Sequence, residues 1–207
     1  MLWIIIAILI SYLIGSIPTA YILGRWLRGI DIRKFGSGNV GATNALRVLG
    51  KGPGILVLIL DTLKGFMAVL FLDNLLTYRI DFLSKEILLI ILGLSCICGH
   101  NWTIFLRFKG GKGVATTLGV FIALAVKISS LKIILGLVLL TWITVFLMSR
   151  IVSLASVLTG MSLPIYMLIF KQSLPLISLS LVLCLFIILR HKSNLVRLFQ
   201  REEKRLF

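Results

Sequence analysis

Acid is scarce in this chain. Seven Asp and Glu residues stand against 22 Lys and Arg in 207 residues, a formal net charge of +15. Nothing in the sequence pairs carboxylates as a Mg²⁺ site or as an acid–base couple in a polar cleft would require. Cysteine is nearly absent too: Cys96, Cys98 and Cys184 lie in apolar stretches, form no C-x-x-C pair and have no histidine at metal spacing, which marks them as packing residues and leaves no metal site to assign. No serine has the glycine spacing of a G-x-S-x-G nucleophile elbow. What the chain has in excess is apolar surface. Hydrophobic residues make up 59% and the mean hydropathy is +1.09, against about 45–50% apolar residues in a soluble domain.

That composition belongs in a bilayer, and the length suits one integral-membrane domain, residues 1–207, with no separate soluble part. The apolar runs predict an all-α, polytopic transmembrane bundle of about seven spans, near 2–23, 54–72, 87–106, 114–128, 131–149, 151–170 and 174–189. The fourth run is short and carries Lys127, so it begins inside the glycine-rich segment before it or is partly re-entrant. The N-terminal run has no basic leader and reads as a retained helix.

Basic residues orient the bundle. Sixteen of them (Arg25, Arg28, Arg33, Lys34, Arg47, Lys51, Arg107, Lys109, Lys112, Arg150 and six between 190 and 205) fall in one set of connections. Only Arg79, Lys85, Lys127, Lys132 and Lys171 fall in the other. The excess marks the cytoplasmic side, with the N-terminus outside and the C-terminus inside the cell (inner or plasma) membrane. In this setting the positive charge faces lipid headgroups and anionic substrates, and nucleic acid is not an expected partner.

Three inward-facing segments combine Gly, Asn, His and basic residues. Residues 36–47 read GSGNVGATNALR, in which Gly36, Gly38 and Gly41 let backbone amides cradle an anion beside Ser37, Asn39, Asn44 and Arg47; a plain turn between helices is the alternative. The G-x-G-x-x-G pattern, with Asp61 twenty residues after Gly41, imitates a dinucleotide fingerprint, but no strand precedes it and Asp61 lies in an apolar run. Residues 99–116 read GHNWTIFLRFKGGKGVAT, where Gly110, Gly111 and Gly113 surround Lys112 ahead of a helix. Amides, helix end and ammonium can meet there on a phosphate, or the segment is a positive-inside anchor. It is not a Walker A loop, since Lys112 is followed by Gly113.

Residues 190–203 contain Arg190-His191-Lys192-Ser193-Asn194, with His191, Asn194 and Leu198 on one helical face, and read alone as a basic amphipathic end on anionic lipid. Asp61 and Lys64, three apart in an apolar run, are either functional or a mutually satisfied pair. Neither His100 nor His191 is followed by Asp at the fifth residue, which excludes the H-x4-D arrangement of soluble-type glycerolipid acyltransferases.

Taken in order, the three motifs resemble those of the bacterial acyl-phosphate:glycerol-3-phosphate acyltransferases, the PlsY type, over essentially the whole chain. The resemblance implies transfer of a fatty acyl group from acyl-phosphate to the sn-1 hydroxyl of glycerol 3-phosphate, giving lysophosphatidic acid and phosphate, with no cofactor. It implies functional roles for Ser37, Arg47, Gly110, Gly111, Gly113, Lys112, His191 and Asn194, a structural one for Glu203, and an acyl-phosphate-forming enzyme as a supplier. Many members carry Pro after the second-motif Gly-His, where this chain has Asn101-Trp102-Thr103-Ile104. An anion or organophosphate transporter is the competing class, but its binding groups belong at the bilayer midplane, whereas these motifs are expected at one face. A lipid-binding scaffold would leave the first two motifs without a task.

Overall fold

The computed structural model describes residues 2–76 and 83–206; Arg79, assigned above to the outer connections, lies outside them. Among the described residues there are ten α-helices, two 3-10 turns and no strand. Five helices are long and apolar enough to cross a bilayer: Leu2–Arg28, Lys51–Leu75, Lys85–Leu106, Leu131–Ser149 and Val152–Ile169. Leu174–Arg190 and Lys192–Phe199, bent by 63°, make a sixth if they count as one span. Each of the seven expected apolar runs contains helix, but the first is interrupted, the third ends its α-helix at Asn101, and Val114–Lys127 has 14 residues. At 1.5 Å per residue it falls short of a hydrocarbon core about 30 Å thick.

The chain forms two compact units, Met1–Leu124 and Ala125–Phe207. The first holds α1 (Leu2–Ser16), α2 (Thr19–Arg28), a 3-10 turn (Ile32–Lys34), α3 (Ala42–Leu49), α4 (Lys51–Leu76), α5 (Lys85–Asn101), a second 3-10 turn (Ile104–Leu106) and most of α6 (Val114–Lys127). The second holds α7 (Leu131–Ser149), α8 (Val152–Ile169), α9 (Leu174–Arg190) and α10 (Lys192–Phe199).

The first apolar run is not one helix. Pro18 has no amide hydrogen to give and its ring disrupts the turn before it, so the helix breaks between Ser16 and Thr19. Breaking a helix releases carbonyls, and in a membrane each must find a donor within the protein. Thr103 Oγ1 donates to the Ser16 carbonyl at 2.6 Å and Lys64 Nζ to that of Ile17 at 3.0 Å. Elsewhere helix ends close in ordinary ways. Ser84 caps α5 by accepting from the Ile87 amide, Ser173 caps α9 likewise, and the Arg28 guanidinium closes the end of α3 on the carbonyls of Val48 (2.7 Å) and Leu49 (3.2 Å).

Within the first unit α1 packs along α5, and α4 against α6, through glycine. A Cβ on Gly15 would lie 1.9 Å from the Cys96 carbonyl oxygen, and one on Gly119 would lie 1.8 Å from that of Thr62. Backbones that close exclude any side chain, the packing mode open to helices that gain nothing by hiding apolar surface from lipid. At the end that carries the motif loops, Ala20, Leu23, Ile32, Val40, Ala45, Leu49, Val57 and Leu106 form one buried cluster. It joins α2, α3 and α4 to the loops of the first two motifs. In the second unit α8 packs between α7 and α9, and α10 folds back against α8 and α9.

Gly119→Ala is therefore expected to destabilise by about 1–3 kcal/mol, since the opposing atoms are backbone and cannot rotate away. Gly136→Ala, with no atom within 4 Å of the added carbon, serves as the control and leaves the detergent-solubilised melting temperature unchanged or raised.

Candidate functional site

The first-motif loop is built by Asn44. Its side-chain amide, in the first turn of α3 and 1% exposed, donates to the carbonyls of Asn39 (2.9 Å), Phe35 (3.1 Å) and Ile32 (3.3 Å) and accepts from the Ser37 amide at 2.8 Å. These bonds wind residues 35–41 around one side chain and turn Ser37 outward. Gly36 lies at φ +59, and a Cβ there would sit 2.3 Å from Asn44 Oδ1, so no other residue fits the winding. Arg47 is exposed one turn further along α3. Ahead of the loop, Arg33 pairs with Asp31 at 2.7 Å, and that guanidinium holds the Asp31 carboxyl down at about 2.

The second-motif loop lies along the end of α5. The Gly110 amide donates to the Asn101 carbonyl (3.2 Å) and the Gly111 amide to the His100 carbonyl (3.0 Å), so these two amides serve the loop's own seat. The glycines are needed for contact: a Cβ on Gly111 would lie 2.2 Å from His100 Nε2, and one on Gly113 would lie 2.7 Å from Asn101 Oδ1. Lys112, half-buried, stands between them, and Val114 begins α6 two residues later.

Beneath this loop lies the buried charge. Asp61 Oδ1 accepts from Thr19 Oγ1 at 2.7 Å, pairs with Lys64 Nζ at 2.9 Å and faces His100 Nδ1 at 3.7 Å. A narrow crevice beside it is lined by Pro18, Val40 of the first motif, Asp61, Lys64, His100 and Gly111 of the second. The first two motifs therefore border one cleft of the first unit.

The third motif lies in the second unit. His191 is buried at the α9–α10 joint, where its Nδ1 stands 2.8 Å from the Ile187 carbonyl. Asn194 Nδ2 donates to Glu203 Oε1, which also accepts from Ser153 Oγ at 2.8 Å, while Arg197 Nε meets Glu203 Oε2 at 2.7 Å. Burial opposes charge on Glu203, yet the hydrogen bonds from Asn194, Ser153 and Arg197 together hold its carboxyl below the ordinary glutamate value. The amide of Leu206 donates to the Arg150 carbonyl at 2.9 Å. The basic tail is thus tied to the α7–α8 corner and is not a free amphipathic end.

Sequence reasoning named Asn44, Gly110 and Gly111 for the site without seeing that their polar groups build the loops. It missed Thr19 and Thr103, whose only advance signal was Pro18 inside an apolar run.

Fold and site define a polytopic helical membrane protein whose glycine loops present basic residues at the end of a bundle. The family model for glycerol-3-phosphate acyltransferase matches residues 5–201. A glycerol-3-phosphate acyltransferase of Prochlorococcus marinus is 43% identical over 204 residues, covering 96% of this chain and 92% of that protein. A glycerol-3-phosphate acyltransferase 2 of Moorella thermoacetica is 42% identical over 202 residues, covering 98% and 97%. Crystal structures of PlsY (YgiH), an integral membrane glycerol 3-phosphate acyltransferase, in glycerol 3-phosphate and lysophosphatidic acid forms superpose with TM-scores of 0.84 and 0.81 at 36% identity, covering 98% of this chain and 94% of theirs. This chain belongs to the glycerol-3-phosphate acyltransferase family.

Two outcomes follow from these loops. Asn44→Ala leaves three carbonyls and one amide without their partner, each worth about 1–3 kcal/mol when buried, so amide exchange across residues 35–41 should quicken on the order of 10–100-fold in hydrogen–deuterium exchange. Glu203 titrates lower folded than unfolded, so its stabilisation is complete above the unfolded value and is lost as pH falls through the folded one. Glu203→Gln should cost about 1.5–3 kcal/mol at neutral pH and progressively less below about pH 4, read as the gap between the two melting curves.

Proposed function

We propose that the protein transfers a fatty acyl group from acyl-phosphate to the sn-1 hydroxyl of glycerol 3-phosphate, releasing lysophosphatidic acid and inorganic phosphate as the first acylation of phospholipid synthesis. Family membership supports the reaction, and the relatives solved in glycerol 3-phosphate and lysophosphatidic acid forms are consistent with acceptor and product. The observation that carries the reading is that Val40 of the first loop and Gly111 of the second line one narrow crevice, which sets the loops bearing Ser37 and Lys112 near each other, with Arg47 on the helix that follows the first.

Acyl-phosphate already contains a good leaving group, so the protein's task is alignment and charge stabilisation. Arg47 and Lys112 bind the phosphates. Lys112 and the first-turn amides of α6, which have no intrahelical acceptor, steady the oxyanion as the hydroxyl oxygen adds to the carbonyl. Gly36, Gly38, Asn39 and Asn44 shape the first loop around Ser37, and Gly110, Gly111 and Gly113 shape the second around Lys112. Ser37 positions glycerol 3-phosphate beside them, and the family resemblance implies roles for His191 and Asn194 of the second unit. The C–O bond to phosphate breaks as the ester forms, and the departing phosphate takes the hydroxyl proton. No acyl-enzyme is formed and no cofactor takes part.

The site works from the cytoplasmic face of the cell membrane, the side to which sixteen basic residues assign the motifs. An acyl-phosphate-forming enzyme supplies the donor there. Transport is the less economical reading, because glycine loops at one end of a unit do not make a midplane site.

Purified protein offered glycerol 3-phosphate with acyl-phosphate, acyl-CoA or an acyl carrier protein thioester in parallel should form lysophosphatidic acid from acyl-phosphate, without any sealed compartment. Product from a thioester alone rejects the donor. Arg47→Ala and Lys112→Ala should each lower kcat/KM on the order of 10–100-fold, the loss of a charged phosphate contact.

A further inference from the structure

Acyl transfer as described above makes no use of Asp61, Lys64 or His100, yet the three are buried together against the loop that carries Lys112. Asp61 is 1% exposed, Lys64 8% and His100 7%. A buried ion pair is a poor choice for stability alone, since apolar side chains of similar size commonly serve as well or better. What a fixed charge adds is direction. Asp61 Oδ1 is held by Thr19 Oγ1 at 2.7 Å and Lys64 Nζ at 2.9 Å, and the Nδ1 edge of His100 faces it at 3.7 Å. Lys64 is itself anchored to the Ile17 carbonyl at the helix break, so the pair cannot drift along α4. With its Nδ1 edge turned to Asp61, the imidazole directs Nε2 at Gly111, near enough that a single Cβ there would lie 2.2 Å away.

The loop has little freedom once that ring is set. Gly111 and Gly110 bond through their amides to the backbone of His100 and Asn101. Gly113 rests on the Asn101 side chain, which is fully buried and has neither its oxygen nor its nitrogen hydrogen-bonded. An unsatisfied amide kept under a loop is the kind of local compromise that functional sites retain and cores shed.

We propose that Asp61, Lys64 and His100 are positioning residues for the acyl transfer: the buried pair orients the His100 imidazole, and His100 sets the Gly110–Gly113 loop so that Lys112 meets the substrate phosphate in one orientation. The proposal rests on the acyltransferase reading. A misplacement near 1 Å at a reacting group is worth about 100-fold in rate, so a small tilt of the ring is enough to be felt at the phosphate.

The test uses purified full-length protein in lipid nanodiscs. The double variant Asp61→Asn/Lys64→Gln removes both charges and keeps hydrogen-bonding groups at both positions. It should melt near wild type yet lose about 100-fold or more in kcat/KM for glycerol 3-phosphate. His100→Gln should show the same loss. A second readout does not depend on turnover. The chain has two histidines, so in a His191→Gln background His100 is the sole imidazole. Its ring ¹⁵N signals should shift on Lys112→Ala, and should no longer respond to Lys112→Ala once Asp61→Asn/Lys64→Gln is present. A folded double variant with normal turnover overturns the proposal, as do imidazole signals indifferent to Lys112→Ala, which decide the matter even if the double variant fails to fold. Wild-type protein that makes no lysophosphatidic acid from acyl-phosphate would remove the acyltransferase reading, while the coupling between His100 and Lys112 is measured independently of it.

Discussion

Two backbone carbonyls set free inside an apolar environment govern the first unit. Pro18 interrupts the first helix; the Ile17 oxygen takes the Thr19 amide at 3.1 Å, and both it and the Ser16 oxygen draw side-chain donors from the protein. Thr103 answers one and Lys64 the other. A lysine recruited to that depth needs a counterion, and Asp61 supplies it from the same helix. The carboxylate in turn takes the Thr19 hydroxyl and faces His100. A helix break, an ion pair, a threonine from each flanking segment and the end of α5 are thus one polar assembly, and the glycine loop of the second motif lies on top of it.

Glycine plays two parts that a sequence pattern does not separate. Gly15 and Gly119 carry no loop and bind nothing; they let helices touch backbone to backbone where lipid offers no hydrophobic drive. Gly110, Gly111 and Gly113 also exist for contact, since any side chain would collide with His100 or Asn101. Their tightness fixes the backbone on either side of Lys112.

Much of this was legible in the primary structure. Hydropathy placed most of the later apolar helices within a few residues, and 131–149 coincides with α7, because long uninterrupted runs leave no competing conformation in a bilayer, whereas the break at Pro18 split the first run in two. Three motifs, in order, pointed to the family. The span count was less legible, because the glycines before Val114 hold the chain in a loop and α6 begins only after them. Asn44 looked like a ligand and turned out to wind its own loop, and Glu203 ties down a tail whose basic residues alone suggested a lipid-facing helix.

The sequence by itself determined that the chain is a polytopic helical membrane protein of the glycerol-3-phosphate acyltransferase family and where most of its apolar helices run. Those properties depend on runs of neighbouring residues and on residue type, and both are local. Only the tertiary structure decided that the amides of Gly110 and Gly111 are taken, that Asp61 reaches Thr19 and His100, and that the first two motifs share a cleft. Each of these joins residues roughly forty or more positions apart, or turns on which of several nearby acceptors a donor meets, and that choice is made by packing alone.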